Sequence, residues 1–241
     1  SSVSDDLASL ASTVGLSPPF EFGGDGWDYD TVIGFDEFGR RWIVRVARRP
    51  DVAPLLIKEN AILNVLDRER IHLLIPNPEI HGMLNGLPAT GYQFIDAFPS
   101  TEEDIFNNAA GLARALVAIH STPIEKFEDH LDTTTWKART LEQLSVTESV
   151  VTWPERVLKQ WKILLSMDEL WSDPHVLCHG DLGPPHLLSR EGTLVGIIDF
   201  SDLQFAPAAI DFGDLLTAFG AKVLNRVLME YCAQSNANFD I

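Results

Sequence analysis

The chain has 241 residues, 45% of them hydrophobic and 22% charged, with 35 acidic against 18 basic side chains and a formal charge of −17. That length and balance predict a globular chain able to bury a core rather than a disordered one, while the negative charge repels nucleic-acid phosphates and anionic lipid and favours cationic small molecules near an acidic cleft. Cys178 and Cys232 lack metal-type spacing, no apolar run approaches the ~20 residues of a membrane span, and the first residues, SSVSDDLASL, lack the basic start and apolar block of a signal peptide, so the expectation is a cytoplasmic protein with no membrane or nucleic-acid partner.

In chain order, Leu7 to Gly15 reads as a short helix started by Asp5 or Asp6. Trp27 to Asp36 and Arg41 to Arg48 read as strands of a hairpin whose turn is Glu37, Phe38, Gly39 and Arg40. Pro50 to Glu69 carries its apolar residues at helical spacing. Leu73 to Ile80 and Gly91 to Ile95 are strand candidates, and Asp96 to Ser100 marks a crossing into a helical body. There, Glu102 to His120, Thr135 to Leu144 and Pro154 to Trp171 read as helices, the last with Val157, Trp161, Leu164 and Leu165 on one face. Val176 to Cys178, the apolar run Leu194 to Phe200 and a closing helix from Asp211 to Cys232 complete the chain.

The chemistry concentrates between His179 and Asp211, in H-G-D-L-G-P-P-H-L-L, then I-I-D-F-S, then P-A-A-I-D-F. Protein kinases space a catalytic Asp, a metal-binding Asn and a metal-binding Asp in the same way. Asp181 takes the place of the base, His186 stands five residues on at the Asn position, and Asp199 opens D-F-S where kinases have D-F-G. Phosphoryl transfer asks for this set, because a carboxylate must orient the attacking hydroxyl while cations neutralise the phosphate oxygens. A hairpin between His186 and Asp199 would return the second carboxylate beside the first loop. His179 and Asp211 read as structural support, with Asp211 accepting backbone N–H bonds from the catalytic loop.

Upstream, the alternation in R-W-I-V-R-V-A-R puts Ile43, Arg45 and Ala47 on one strand face and Trp42, Val44 and Val46 on the other. Arg45 then stands where kinases carry the nucleotide-binding lysine, Ile43 beside it at the pocket, and Glu59 on the following helix is its ion-pair partner. Gly23, Gly24 and Gly26 are candidates for a phosphate-covering turn, without G-x-G-x-x-G spacing.

These motifs, with GWDY and RRWIVRVARRPDV upstream, resemble the macrolide 2′-phosphotransferases within the aminoglycoside phosphotransferase family. The resemblance implies an α+β, bilobal protein-kinase-like fold, with a small β-rich N-terminal lobe over residues 1–95 that binds nucleotide. A larger helical lobe over residues 96–241 carries catalysis and acceptor binding, and family members continue for several helices past the position of residue 241. It implies GTP or ATP held by Ile43, Arg45, Glu59, Ile198 and the hinge residues Tyr92, Gln93, Phe94 and Ile95. Transfer goes to the 2′-hydroxyl of a macrolide amino sugar, with resistance as the result. Asp181 would orient that hydroxyl, Asp202 would line the acceptor side near a cationic dimethylamino group, and the protein would act as a monomer. His186 and Asp199 would bind Mg2+, and an imidazole ligand makes Mn2+ a second expectation. Two alternatives remain: a kinase for aminoglycosides or another small-molecule hydroxyl, and an inactive kinase-like nucleotide-binding module.

Overall fold

The computed structural model describes residues 2–23 and 27–235. Helix α1 (Val3–Thr13) starts at Ser2, whose hydroxyl accepts from the Asp5 N–H while the Asp5 carboxylate accepts from the Ser2 N–H. Strands β1 (Ser17–Gly23), β2 (Tyr29–Phe35), β3 (Arg41–Ala47), β4 (Ile80–Leu84) and β5 (Leu87–Gln93) form one antiparallel sheet in the order β1-β2-β3-β5-β4. The alternation of β3 sorts its residues as the sequence predicts. Trp42, Val44 and Val46 pack with Leu7, Leu10 and Ala11 of α1 on one face, and Ile43 and Arg45 turn to the other, towards the cleft.

On that second face, α2 (Ala53–Val65) buries Leu56, Glu59, Ile62 and Leu63 and is followed by the single turn of α3 (Arg68–Ile71). The predicted continuous helix from Pro50 to Glu69 is therefore interrupted, at extended Leu66. The predicted strand from Leu73 is a connector: Leu74 alone bridges Gly196, with Leu74 N–H donating to Val195 O and Ile197 N–H to Leu74 O, both at 2.9 Å. The prolines at 76 and 78 exclude a regular ladder there, and pairing begins at Ile80.

Beyond the sheet, β6 (Phe98–Pro99) pairs with β8 (Leu187–Arg190), which pairs with β9 (Thr193–Ile197). α4 (Glu102–Asn107) and α5 (Ala109–His120) replace the one helix expected over that stretch; Asn108 separates them, its side chain donating to Asp104 O and Gly192 O. α6 (Trp136–Val150) and α7 (Glu155–Ser166) follow, then β7 (His175–Cys178), paired with β10 (Gln204–Pro207), and α8 (Ala209–Ser235), broken at Gly220. The apolar face predicted for α7 packs only in part: Leu165 is buried, but Val157, Trp161 and Leu164 are each more than a third exposed.

The second core joins Leu112, Leu116 and Ile119 of α5 to Phe212, Leu215, Val223 and Val227 of α8 and to Leu177, Leu182, Ile197 and Phe200. Each fully buried Leu or Ile contributes about 1.5–3 kcal/mol. The molecule is thus a small β-rich lobe against a larger helical one, and the segments from 178 to 186 and 197 to 203 lie where the two meet.

Candidate active site

The segment from His179 to His186 begins where β7 ends at Cys178. Asp211, in the first turn of α8, reaches back under it: its carboxylate accepts from His179 N–H at 3.0 Å and Gly180 N–H at 2.9 Å, and His120 Nε2 lies 2.9 Å away. Burial pushes the Asp211 carboxyl up, but its hydrogen bonds with His120 and the Gly180 N–H outweigh this and hold it below the ordinary value. The support role predicted for Asp211 thus has a geometric basis, and His120, with Tyr231 at 2.9 Å from its Nδ1, completes the buried network.

His179 supports the loop from within. Asp181 N–H donates to its Nδ1 at 3.3 Å, so Nε2 carries the proton given to Ile198 O at 3.0 Å. Burial lowers its pKa, keeping the ring neutral. Gly180 is at φ +85, and a Cβ there would lie 2.4 Å from Asp202 O, so only glycine fits. Leu182 N–H, the next along, donates to Asp214 Oδ2 at 3.2 Å.

These bonds leave the Asp181 side chain half exposed at the cleft. His186 Nδ1 lies 2.8 Å from Asp181 O and 3.3 Å from Asp181 Oδ2, so with Nδ1 as donor its Nε2 lone pair faces Asp199 Oδ2 at 3.7 Å. Two acceptors at that separation repel unless a proton or cation lies between them. The pair therefore fits a divalent cation sharing one nitrogen and one oxygen ligand. The other Asp199 oxygen is occupied: Oδ1 accepts from Ser201 Oγ and from Arg45 Nη2, the latter at 3.3 Å. Asp199 sits in the left-handed region at φ 59, which Asp tolerates better than most residues. Burial raises its carboxyl, but the Arg45 guanidinium and the Ser201 hydroxyl outweigh that and hold it below the ordinary carboxylate range.

Arg45 and Glu59 form the buried pair the sequence predicts, with Arg45 Nη1 at 2.9 and 3.1 Å from the two Glu59 oxygens. Glu59 also accepts from Phe200 N–H at 3.1 Å, tying α2 to the strand end that bears Asp199. The Tyr29 ring covers the guanidinium at 4.1 Å.

One cavity of about 470 Å³ gathers Ile43, Arg45, Tyr92, Ile198, Asp199, His186, Asp181 and Asp202. Glu59 stands behind Arg45, outside the lining. Gln93, Phe94 and Ile95 instead line a neighbouring cavity with Arg68, Leu74 and Glu79, so the structure does not bring those three into the same space. Gly24 and Gly26 lie outside the described residues; Gly23 ends β1. Burial and the charges of Asp181 and Asp199 raise the Asp202 carboxyl above its usual value, and burial with Asp211 and Asp181 raises Asp214. Asp202 also lines an adjoining cavity with Asp28, Lys58, Asp132 and Arg139.

Sequence reasoning missed Tyr29, Ser201, His120 and Asp214. Asp214 could have been found, since it stands one helical turn after Asp211 on the same face; Ser201 ends D-F-S and Tyr29 ends GWDY, motifs noted above without a role for these two side chains, and His120 carries no spacing signal. Among the described residues, one cluster of three ligand-type side chains occurs, His120, Cys178 and Asp211. Hydrogen bonds engage each of them, with the Cys178 thiol facing Ala206 O and Pro207 O.

The profile of the phosphotransferase enzyme family matches residues 21–240. Among solved structures, a macrolide 2'-phosphotransferase type I is 26% identical with a TM-score of 0.78, over 95% of this chain and 81% of that one. The macrolide 2'-phosphotransferase MphH from Brachybacterium faecium shares the fold at 18% identity and a TM-score of 0.82, over 97% and 84% of the two chains. The GDP and kanamycin complex of APH(2")-IIia shares it at 21% identity and 0.78, over 95% and 82%. The Bacillus subtilis (strain 168) protein YcbJ, whose function is uncharacterized, is 26% identical over 94% of this chain and 80% of its own length. The fold is the two-lobed one of protein-kinase-like phosphotransferases.

Proposed function

Because this chain belongs to the phosphotransferase enzyme family, we propose that it moves the γ-phosphoryl group of GTP or ATP onto the 2′-hydroxyl of a macrolide amino sugar, which would give resistance. One observation carries the reading: Asp181, His186 and Asp199 line the same cavity as Arg45, whose guanidinium is fixed by Glu59. Asp181 would orient the acceptor hydroxyl and take its proton. Arg45 would grip phosphate oxygens, with the base between Ile43, Tyr92 and Ile198. His186 and Asp199 would hold Mg2+ or Mn2+, which when bound neutralises charge on the transferring phosphoryl oxygens. The division of labour would fall near residues 95 and 96, nucleotide above and acceptor below. Asp202 would face the ammonium of the acceptor.

A second reading, an aminoglycoside as acceptor, is favoured by the number of carboxylates about Asp181: Asp28 and Asp202 line the cavity and Asp214 lies close by. Several carboxylates suit an acceptor with several ammonium groups. Release of nucleoside diphosphate from GTP and ATP, measured with macrolides and with aminoglycosides, tests both. Macrolide-dependent release is the expected result; release with aminoglycosides alone would move the assignment to the second reading, and release with neither would refute both.

A further inference from the structure

Tyr29 is nine-tenths buried in the N-terminal lobe, its ring packed on Ala47, Val52 and Leu56. Its hydroxyl oxygen has no hydrogen-bond partner among the described residues. A buried, unmade hydrogen bond is costly, and burial pushes the phenol pKa up to about 12, so at neutral pH the group is a proton donor. The Ser201 hydroxyl lines the same cavity as Tyr29 and is near enough to pull the phenol pKa down against burial, while itself donating to Asp199 Oδ1 and accepting from Arg45 Nη2 at 3.3 Å. Ser201 Oγ has two lone pairs and Arg45 uses one.

We propose that Tyr29 is a positioning residue: its hydroxyl donates to Ser201 when the lobes close on metal-bound nucleotide, and through Ser201 it fixes the Asp199 carboxylate with Oδ2 towards the cation. A donor added to Ser201 Oγ polarises the Ser201 O–H and strengthens its bond to Asp199 Oδ1. Outer partners of this kind orient metal ligands, and their loss typically weakens metal affinity about 10–100-fold. The inference rests on the phosphotransferase reading above.

The test compares wild type, Tyr29→Phe, Ser201→Ala and the double variant, each titrated with Mg2+ in the presence of a nonhydrolysable β,γ-imido nucleoside triphosphate. Tyr29→Phe keeps the ring over Arg45 and removes only the hydroxyl. It should raise the Mg2+ concentration for half-saturation about tenfold, while the melting temperature of the metal-free, nucleotide-free protein stays level or rises, because an unsatisfied buried hydroxyl is gone. Ser201→Ala should do the same to the Mg2+ requirement, and the double variant should add nothing to it. An unchanged Mg2+ requirement in Tyr29→Phe, additive effects in the double variant, or a fall in the melting temperature of the free protein would each overturn the inference. Wild type without metal-dependent nucleotide binding would overturn the phosphotransferase reading itself, and this proposal with it.

Discussion

Asp202 and Asp211 are carboxylates of one site driven in opposite directions. Asp211 has a folded pKa below its unfolded one, so its contribution to stability is present above the unfolded value of about 3.9 and is lost as pH falls through the folded value. Asp211→Asn should therefore destabilise at neutral pH, by about 1–3 kcal/mol, because the amide offers one acceptor oxygen where the carboxylate takes N–H bonds on both. Urea unfolding from pH 7 downwards should show the deficit shrinking as wild type loses its own carboxylate. Asp202 has the raised pKa, so its favourable contribution exists below the unfolded value and disappears as pH rises through the folded one. Asp202→Asn should raise the melting temperature at pH 7 and lose that advantage in the carboxylate range. If Asp202 faces a cationic acceptor, the same change raises the acceptor KM.

At the scale of elements, two glycines at positive φ predict opposite outcomes. Gly180 (φ +85) lies where a Cβ would strike Asp202 O, whereas Gly86 (φ +80) has open space around it and closes the turn between β4 and β5. Gly86→Ala should cost about 1–2 kcal/mol in a thermal or urea melt and leave turnover intact; Gly180→Ala should abolish turnover at any stability, because the loop bearing Asp181 must move. Asn85 and Gly86, both at positive φ, are also the one strong signal the sequence reading passed over, since Asn-Gly between strand residues is a hairpin turn. β1 was illegible for a different reason: Ser17–Gly23 contains Pro18 and Pro19, which argue against a strand, and only its place at the sheet edge beside β2 makes them tolerable. β6 and β10 are short and each ends in proline, and are set by tertiary pairing. What could be read was local: the spacing from Asp181 to Asp199 and the alternation around Arg45. What could not was which groups meet across the cleft, as with Ser201 and Arg45, because no periodicity encodes contacts 156 residues apart.

For the whole molecule, the two lobes are tied by Arg45 and Glu59, which reach Asp199 and the Phe200 N–H from the sheet and α2. That tie puts the Arg45 guanidinium and Asp181 in the lining of one cavity, and phosphoryl transfer asks for positive charge and an orienting carboxylate in one site. In the proposed reaction Asp181 carries the transfer. The measurement is acceptor-dependent release of nucleoside diphosphate by wild type and Asp181→Ala, with binding of a nonhydrolysable nucleotide measured on both. Turnover should be lower by about 10²–10⁴-fold in Asp181→Ala, with nucleotide binding kept; comparable turnover in the two proteins would show that Asp181 does not carry the transfer.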